Sequence, residues 1–251
     1  MQILKLGGSV ITDKNKPQTA NMQAIKSLAK AVSHVWNSGV HDIVLVHGAG
    51  SFGHSLVLEH GLDNGVRTDE QKAAAAKTHA ACEKLTGMVV NALVEEGVPA
   101  AALSPPLLIV QTNKRIVKFD QKKVLDSLAM GYMPVLRGDM VPDTTLGMSV
   151  CSGDQIVAYL GKKAERIVIG TNVDGVMADG KVVPLITSQN FAKYEAHLGA
   201  SGSPDVTGGM AGKIKELLAG KVSAYVANAN KPERLEALLM GKKTICTQIE
   251  F

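Results

Sequence analysis

A three-layer α/β/α sandwich around a mainly parallel sheet is predicted by three features of the chain: short apolar runs alternate with longer amphipathic ones, glycine-rich turns follow the first apolar runs, and no long Pro, Ser or Gly linker interrupts the 251 residues. With 45% hydrophobic content a chain of this length buries a sizeable core, so residues 1–251 read as one domain.

Taken in order, Ile3 to Leu6 is an apolar run too short for a helix and reads as the first strand. Met22 to Trp36 follows with helical spacing, and Ile43 to Val46 is the second strand. Asp69 to Glu96 is the longest helical stretch, leading into a strand at Ala100 to Leu103. Ser104-Pro105-Pro106 then loosens the pattern, and Lys114 to Phe119 reads as a short hairpin-like segment, expected to form a flap near the substrate. Beyond it, helices at Asp120 to Ala129, Asp154 to Leu160, Gly209 to Leu218 and Pro232 to Leu239 alternate with strands at Met133 to Leu136, Arg166 to Ile169, Ser223 to Ala227 and Thr244 to Ile249. Right-handed crossovers then put helices on both faces of the sheet.

Composition narrows the function. A formal charge of +4 is modest, the basic residues are scattered, and no aromatic lies between Phe52 and Phe119, so neither a nucleic-acid surface nor a large aromatic cage is indicated. An anionic small molecule fits that charge. No apolar run approaches the roughly 18 residues of a membrane span, and the chain reaches Gly7 and Gly8 before any signal-like segment develops, so a cytoplasmic protein is expected. Cys82, Cys151 and Cys246 lack metal-ligand spacing and read as reduced, mostly buried thiols.

Four loops carry the chemistry. Lys5-Leu6-Gly7-Gly8-Ser9 ends the first strand, where glycines let backbone N–H groups approach an anion, although alone it is weak evidence, an ordinary tight turn being the alternative. It is neither a Walker A loop nor a dinucleotide fingerprint. His47-Gly48-Ala49-Gly50-Ser51-Phe52-Gly53-His54 ends the second strand and opens a helix, where anions are favoured. Ser152-Gly153-Asp154 starts another helix, with Asp154 either capping it or holding nearby lysines. Asp205 to Lys213 again sets glycines and a lysine at a helix start. Ligands collect beyond the carboxyl ends of parallel strands, so the first two loops should face one crevice.

With KLGGSVITDK at Lys5 to Lys14, HGAGSFGH at His47 to His54, GD at Gly138-Asp139, SGDQ at Ser152 to Gln155, NVDGV at Asn172 to Val176 and DVTGGMAGK at Asp205 to Lys213, the chain resembles the amino acid kinase superfamily nearly end to end, and within it the isopentenyl phosphate kinases. The related acetylglutamate, carbamate and uridylate kinases carry other residues at the His54 position. The resemblance implies ATP with Mg²⁺ as phosphoryl donor, held by Lys5, Leu6, Gly7, Gly8, Ser9, Gly50, Asn172, Gly209 and Lys213. It implies that Ala49, His54 and Gly153 hold the acceptor phosphate, that Lys14 stabilises the transferring group, and that Asp154 orients the lysines. It also implies a homodimer whose N-terminal part binds acceptor and whose C-terminal part binds nucleotide. One departure is Asn172, where the pattern has a carboxylate, so any role needing that charge is lost.

The chemistry agrees with this list. Phosphoryl transfer needs alignment and charge compensation, which lysines and amides supply, and a phosphate monoester with a second pKa near ~6 is already ionised at neutral pH. Lys5, Lys14, His54 and Asp154 are therefore the catalytic candidates, with no protein metal ligands expected. A kinase of another oxyanion, such as fosfomycin, and a non-catalytic nucleotide- or oxyanion-binding protein are the alternatives. For a prenyl acceptor, the long helix should wall the tail through some of Ala81, Leu85, Met88, Val89 and Ala92, which share helical spacing, although each one alone suits packing on the sheet better.

Overall fold

The computed structural model describes residues 1–198 and 208–251, apart from the side chains of 196 and 197. In chain order its elements are β1 (Gln2–Leu6), α1 (Gly8–Ile11), α2 (Met22–Asn37), β2 (Ile43–His47), α3 (His54–Glu59), α4 (Asp69–Glu95), β3 (Ala100–Ala102), β4 (Ile109–Thr112), β5 (Arg115–Phe119), α5 (Gln121–Ala129), β6 (Met133–Arg137), β7 (Asp139–Asp143) and β8 (Gly147–Cys151). There follow α6 (Gly153–Leu160), β9 (Arg166–Thr171), β10 (Met177–Ala178), β11 (Lys181–Val182), β12 (Leu185–Thr187), α7 (Phe191–Leu198), α8 (Gly209–Gly220), β13 (Ala224–Asn228), α9 (Pro232–Leu239) and β14 (Thr247–Glu250). No helix among the described residues is long and apolar enough to cross a membrane.

The main sheet has the order β12-β14-β13-β9-β1-β2-β6-β3 and is parallel except where β14 runs against β13. Its central strands are apolar on both faces, and the period of two sorts them into two cores. Leu4, Leu6, Ile43, Leu45 and Val168 pack under α2, α4 and α9. Ile3, Val44, Val46, Ile167 and Ile169 pack under α5, α6 and α8. This is the predicted three-layer sandwich, and it assigns Lys5 to the same face as Ile3, beneath α6 and α8.

Local signals fix the helix starts. Thr68 and Gln71 form a reciprocal capping box at α4, and Ser152 caps α6 by accepting from the Gln155 amide at 3.1 Å. Ser152 rather than Asp154 is therefore the cap, which leaves the Asp154 carboxylate for other partners.

A second, four-stranded sheet of order β5-β4-β7-β8 stands beside the first. The hairpin expected at Lys114 to Phe119 is its β4–β5 pair. It does not act as a flap, because no residue between 83 and 137 lines the cleft described below. The β7–β8 hairpin was not foreseen: Asp139 and Asp143 interrupt its apolar pattern.

Candidate active site

The carboxyl ends of β1, β2, β6 and β9 open into a cleft of about 580 Å³. Two of its loops touch backbone to backbone. A Cβ on Gly8 would lie 2.5 Å from the Gly50 nitrogen, and one on Gly48 would lie 2.6 Å from the Gly8 nitrogen. Gly50 also has a φ of 51°, in the left-handed region. Part of the glycine pattern thus serves the approach of the two loops to each other. Thr12, which lies inside the first motif without a role assigned to it, fastens them: its hydroxyl donates to the Gly8 carbonyl at 2.7 Å and accepts from the Ser51 amide at 3.1 Å.

On the floor of the cleft the Asp154 carboxylate sits between two ammoniums, 2.9 Å from Lys5 Nζ and 3.1 Å from Lys213 Nζ. Lys5 arrives from the carboxyl end of β1, Asp154 from the first turn of α6 and Lys213 from the start of the second turn of α8. Burial alone would favour a neutral acid, yet Lys213 and Lys5 outweigh it and hold Asp154 well below the usual carboxylate range. Burial, with the Lys213 charge adding to it, pushes Lys5 down to about 8 against the pull of Asp154. The floor therefore carries one carboxylate against two lysines, a surplus of positive charge suited to a polyphosphate.

Lys14, Gly7, Gly8, Ser9, Ala49, Gly50, His54, Gly153, Asn172 and Gly209 all line the same cleft with Lys5, Asp154 and Lys213. Lys14 is exposed at the mouth and His54, the first residue of α3, is half-buried. Leu6 is the predicted residue that the fold takes elsewhere: its side chain is in the core and its carbonyl accepts from the Gly48 amide at 2.9 Å. Asp205, Val206 and Thr207 lie outside the described residues.

The apolar end of the cleft is lined by Val57 and Leu58 of α3, Thr78 and Cys82 of α4, Met140 of β7 and Val150 of β8. This corrects the expected tail wall. Ala81, Leu85, Val89 and Ala92 face the core under α2, and Met88 packs against it. Behind the apolar end of the cleft lies a charged network. Asp139, lining the cleft with a side chain shut from solvent, accepts from Arg137 Nη2 at 2.6 Å and meets His79 Nδ1 at 2.8 Å. Burial raises the Asp139 pKa while Arg137 and His79 oppose it. Arg137, itself fully buried, also holds Glu83 at 2.7 Å. His47 is likewise shut in the fold, bonded to Thr86 at 2.9 Å, and burial pushes it down to about 4, so it stays neutral.

Among the described residues no group of three His, Cys, Asp or Glu side chains could hold a divalent cation, and Asp154 already serves two lysines.

The sequence pattern of the amino acid kinase family matches residues 1–228. The chain belongs to the amino acid kinase family. Within it, the isopentenyl phosphate kinase of Haloferax volcanii is 37% identical over 96% of this chain and 95% of its own length. That of Methanocaldococcus jannaschii is 31% identical over 100% of this chain and 99% of its own. An X-ray structure of isopentenyl phosphate kinase superposes with a TM-score of 0.84 at 31% identity, covering 99% of both chains. A substrate complex of isopentenyl phosphate kinase superposes at 0.77 with 29% identity over the full length of both. The family that the motifs resemble is thereby borne out, together with its fold.

Proposed function

We infer that the chain is an ATP-dependent kinase that transfers the γ-phosphoryl group of ATP to the phosphate of isopentenyl phosphate, forming isopentenyl diphosphate and ADP. The observation that carries this reading is one cleft with a lysine-rich floor at one end and an apolar wall at the other, in a chain matched end to end by isopentenyl phosphate kinases. An oxygen of the acceptor phosphate forms the new bond to the γ-phosphorus, and the bond to the β,γ-bridging oxygen breaks toward ADP. The acceptor dianion has no proton to lose, so no side-chain base is required.

In this reading Lys5, Gly7, Gly8, Ser9, Gly50, Asn172, Gly209 and Lys213 hold ATP, Lys14 meets the transferring group at the mouth, and Asp154 orients Lys5 and Lys213. Ala49, His54 and Gly153 hold the acceptor phosphate, whose tail runs toward Cys82 and Met140. Mg²⁺ is read as arriving on the ATP phosphates, without a protein ligand assigned to it. The reading extends to a single domain over 1–251 and to a homodimeric, cytoplasmic enzyme, which limited proteolysis, light scattering and cell fractionation test.

The decisive assay is ADP release with ATP and Mg²⁺ across isopentenyl phosphate, dimethylallyl phosphate, fosfomycin, acetylglutamate and uridine monophosphate. Isopentenyl phosphate should give the largest kcat/KM, and preference for fosfomycin would replace the acceptor. His54→Ala should lower kcat/KM for the acceptor by about ten- to a hundredfold while ATP affinity holds, since a charged hydrogen bond contributes about 1.5–3 kcal/mol.

A further inference from the structure

The β4–β5 hairpin takes no part in the cleft, yet its tip touches both helices that supply the floor. Asn113 and Lys114 at that tip have φ of 48° and 63°, the left-handed pair that a two-residue hairpin turn requires and that suits a lysine less well than a glycine. Side chains around the turn hold it. Asp143 accepts from the amides of Asn113 at 3.2 Å and Lys114 at 2.8 Å. The Lys114 carbonyl, turned outward by that conformation, accepts from Gln111 and from Gln155, each at 3.1 Å, and Gln111 Nε2 also donates to Gln155 Oε1 at 2.7 Å.

Gln155 follows Asp154 directly on α6. The next tip residue, Arg115, donates two bonds to Glu216, at 2.7 and 3.0 Å. Glu216 lies one turn beyond Lys213 on α8, on the helix face neighbouring it. Two consecutive tip residues, Lys114 and Arg115, thus bind the neighbours of the two floor groups that must meet at 3.1 Å.

We propose that the hairpin tip is a clamp between α6 and α8 that sets the Asp154–Lys213 geometry, with Gln155, Arg115 and Glu216 as positioning residues for phosphoryl transfer. This rests on the kinase reading above. Phosphoryl transfer is sensitive to small displacements of the groups that align it, a shift on the order of 1 Å costing up to about a hundredfold. A bridge fastened to both helices resists that shift. The turn conformation leaves the Lys114 carbonyl where Gln155 donates to it.

The test compares Arg115→Ala, Gln155→Ala, Lys114→Gly and the exchanged pair Arg115→Glu with Glu216→Arg, all assayed at a temperature where each is fully folded. Arg115→Ala and Gln155→Ala should lower kcat about five- to tenfold and raise the KM for ATP, with the acceptor KM unchanged. The exchanged pair should return kcat to within about twofold of the unmodified protein. Lys114→Gly, which fits the left-handed turn, should keep kcat and raise Tm. Unchanged kcat in both alanine variants, or an exchanged pair as slow as Arg115→Ala, overturns the clamp. Calorimetric ATP titration reads the same clamp without turnover: affinity should weaken in Arg115→Ala and recover in the exchanged pair. Should the unmodified protein bind ATP but form no ADP from any acceptor, the kinase reading fails while the titration still decides the clamp.

Discussion

Removing the proton from Lys5 takes one of two positive charges off the cleft floor, and its surroundings make that removal easy. Burial and the Lys213 ammonium push the group down to about 8, more than Asp154 can offset. The sign is direct: below that value Lys5 is charged and meets a polyphosphate, and above it the charge and its attraction are lost. Because kcat/KM reports the free enzyme, its value for ATP should fall on the alkaline side with an apparent pKa of about 8. Bound nucleotide stabilises the ammonium, so the limb in kcat should lie at higher pH. Lys5→Arg keeps the charge throughout and should abolish the alkaline limb, at some cost in rate because a planar guanidinium replaces a point charge. A flat profile up to pH ~9.5 in the unmodified protein would show that Asp154 and Lys213 leave Lys5 with its ordinary acidity.

The long helix α4 shows what an element contributes and how far its sequence reveals it. It is covered on more than one side: Ala81, Leu85, Val89 and Ala92 meet the core, while Thr78 and Cys82 meet the cleft. A helix apolar on several faces has no single stripe to orient it, so periodicity marks the core face and leaves the cleft face unmarked. Seven strands of the main sheet were legible because an apolar run of their length is too short for a helix, and the glycine loops because their spacing is tied to strand ends. Thr12, Arg137 and His79 were not, since each acts through a partner distant in the chain, as in the 60-residue separation of His79 and Asp139. The corrected wall carries its own prediction. Cys82→Phe should fill the apolar end and lower kcat/KM for isopentenyl phosphate more than tenfold with ATP affinity intact, an effect of order that overpacking and lost burial of a few methylenes produce at ~0.8 kcal/mol each. Met88→Phe, on the core side, should leave acceptor kinetics near those of the unmodified protein. Equal acceptor losses in the two folded variants would put the tail elsewhere.

At the scale of the whole molecule the cleft joins distant parts of the chain: Lys5 from the first strand, Asp154 from the middle and Lys213 near the end meet within 3.1 Å of a shared carboxylate. A ligand that spans these residues binds only the folded arrangement, so its binding free energy adds to the stability of the fold. For ATP with Mg²⁺ at a hundred times its Kd the gain is about 2.7 kcal/mol, and each kcal/mol raises the Tm of a domain of this size by about 2–4 °C. A rise of roughly 5–11 °C in Tm is expected from those two figures. Lys213→Ala removes one of the two floor cations and also leaves Asp154 with Lys5 alone, so at the same nucleotide concentration the rise should shrink to a small fraction of that seen in the unmodified protein. Isopentenyl phosphate, held by Ala49, His54 and Gly153 in the proposed assignment, should keep its own Tm increment in Lys213→Ala and lose it in His54→Ala. Differential scanning fluorimetry with each ligand alone on the three proteins separates the two ends of the cleft. An ATP increment that survives Lys213→Ala undiminished would place the nucleotide away from the Lys5–Asp154–Lys213 floor.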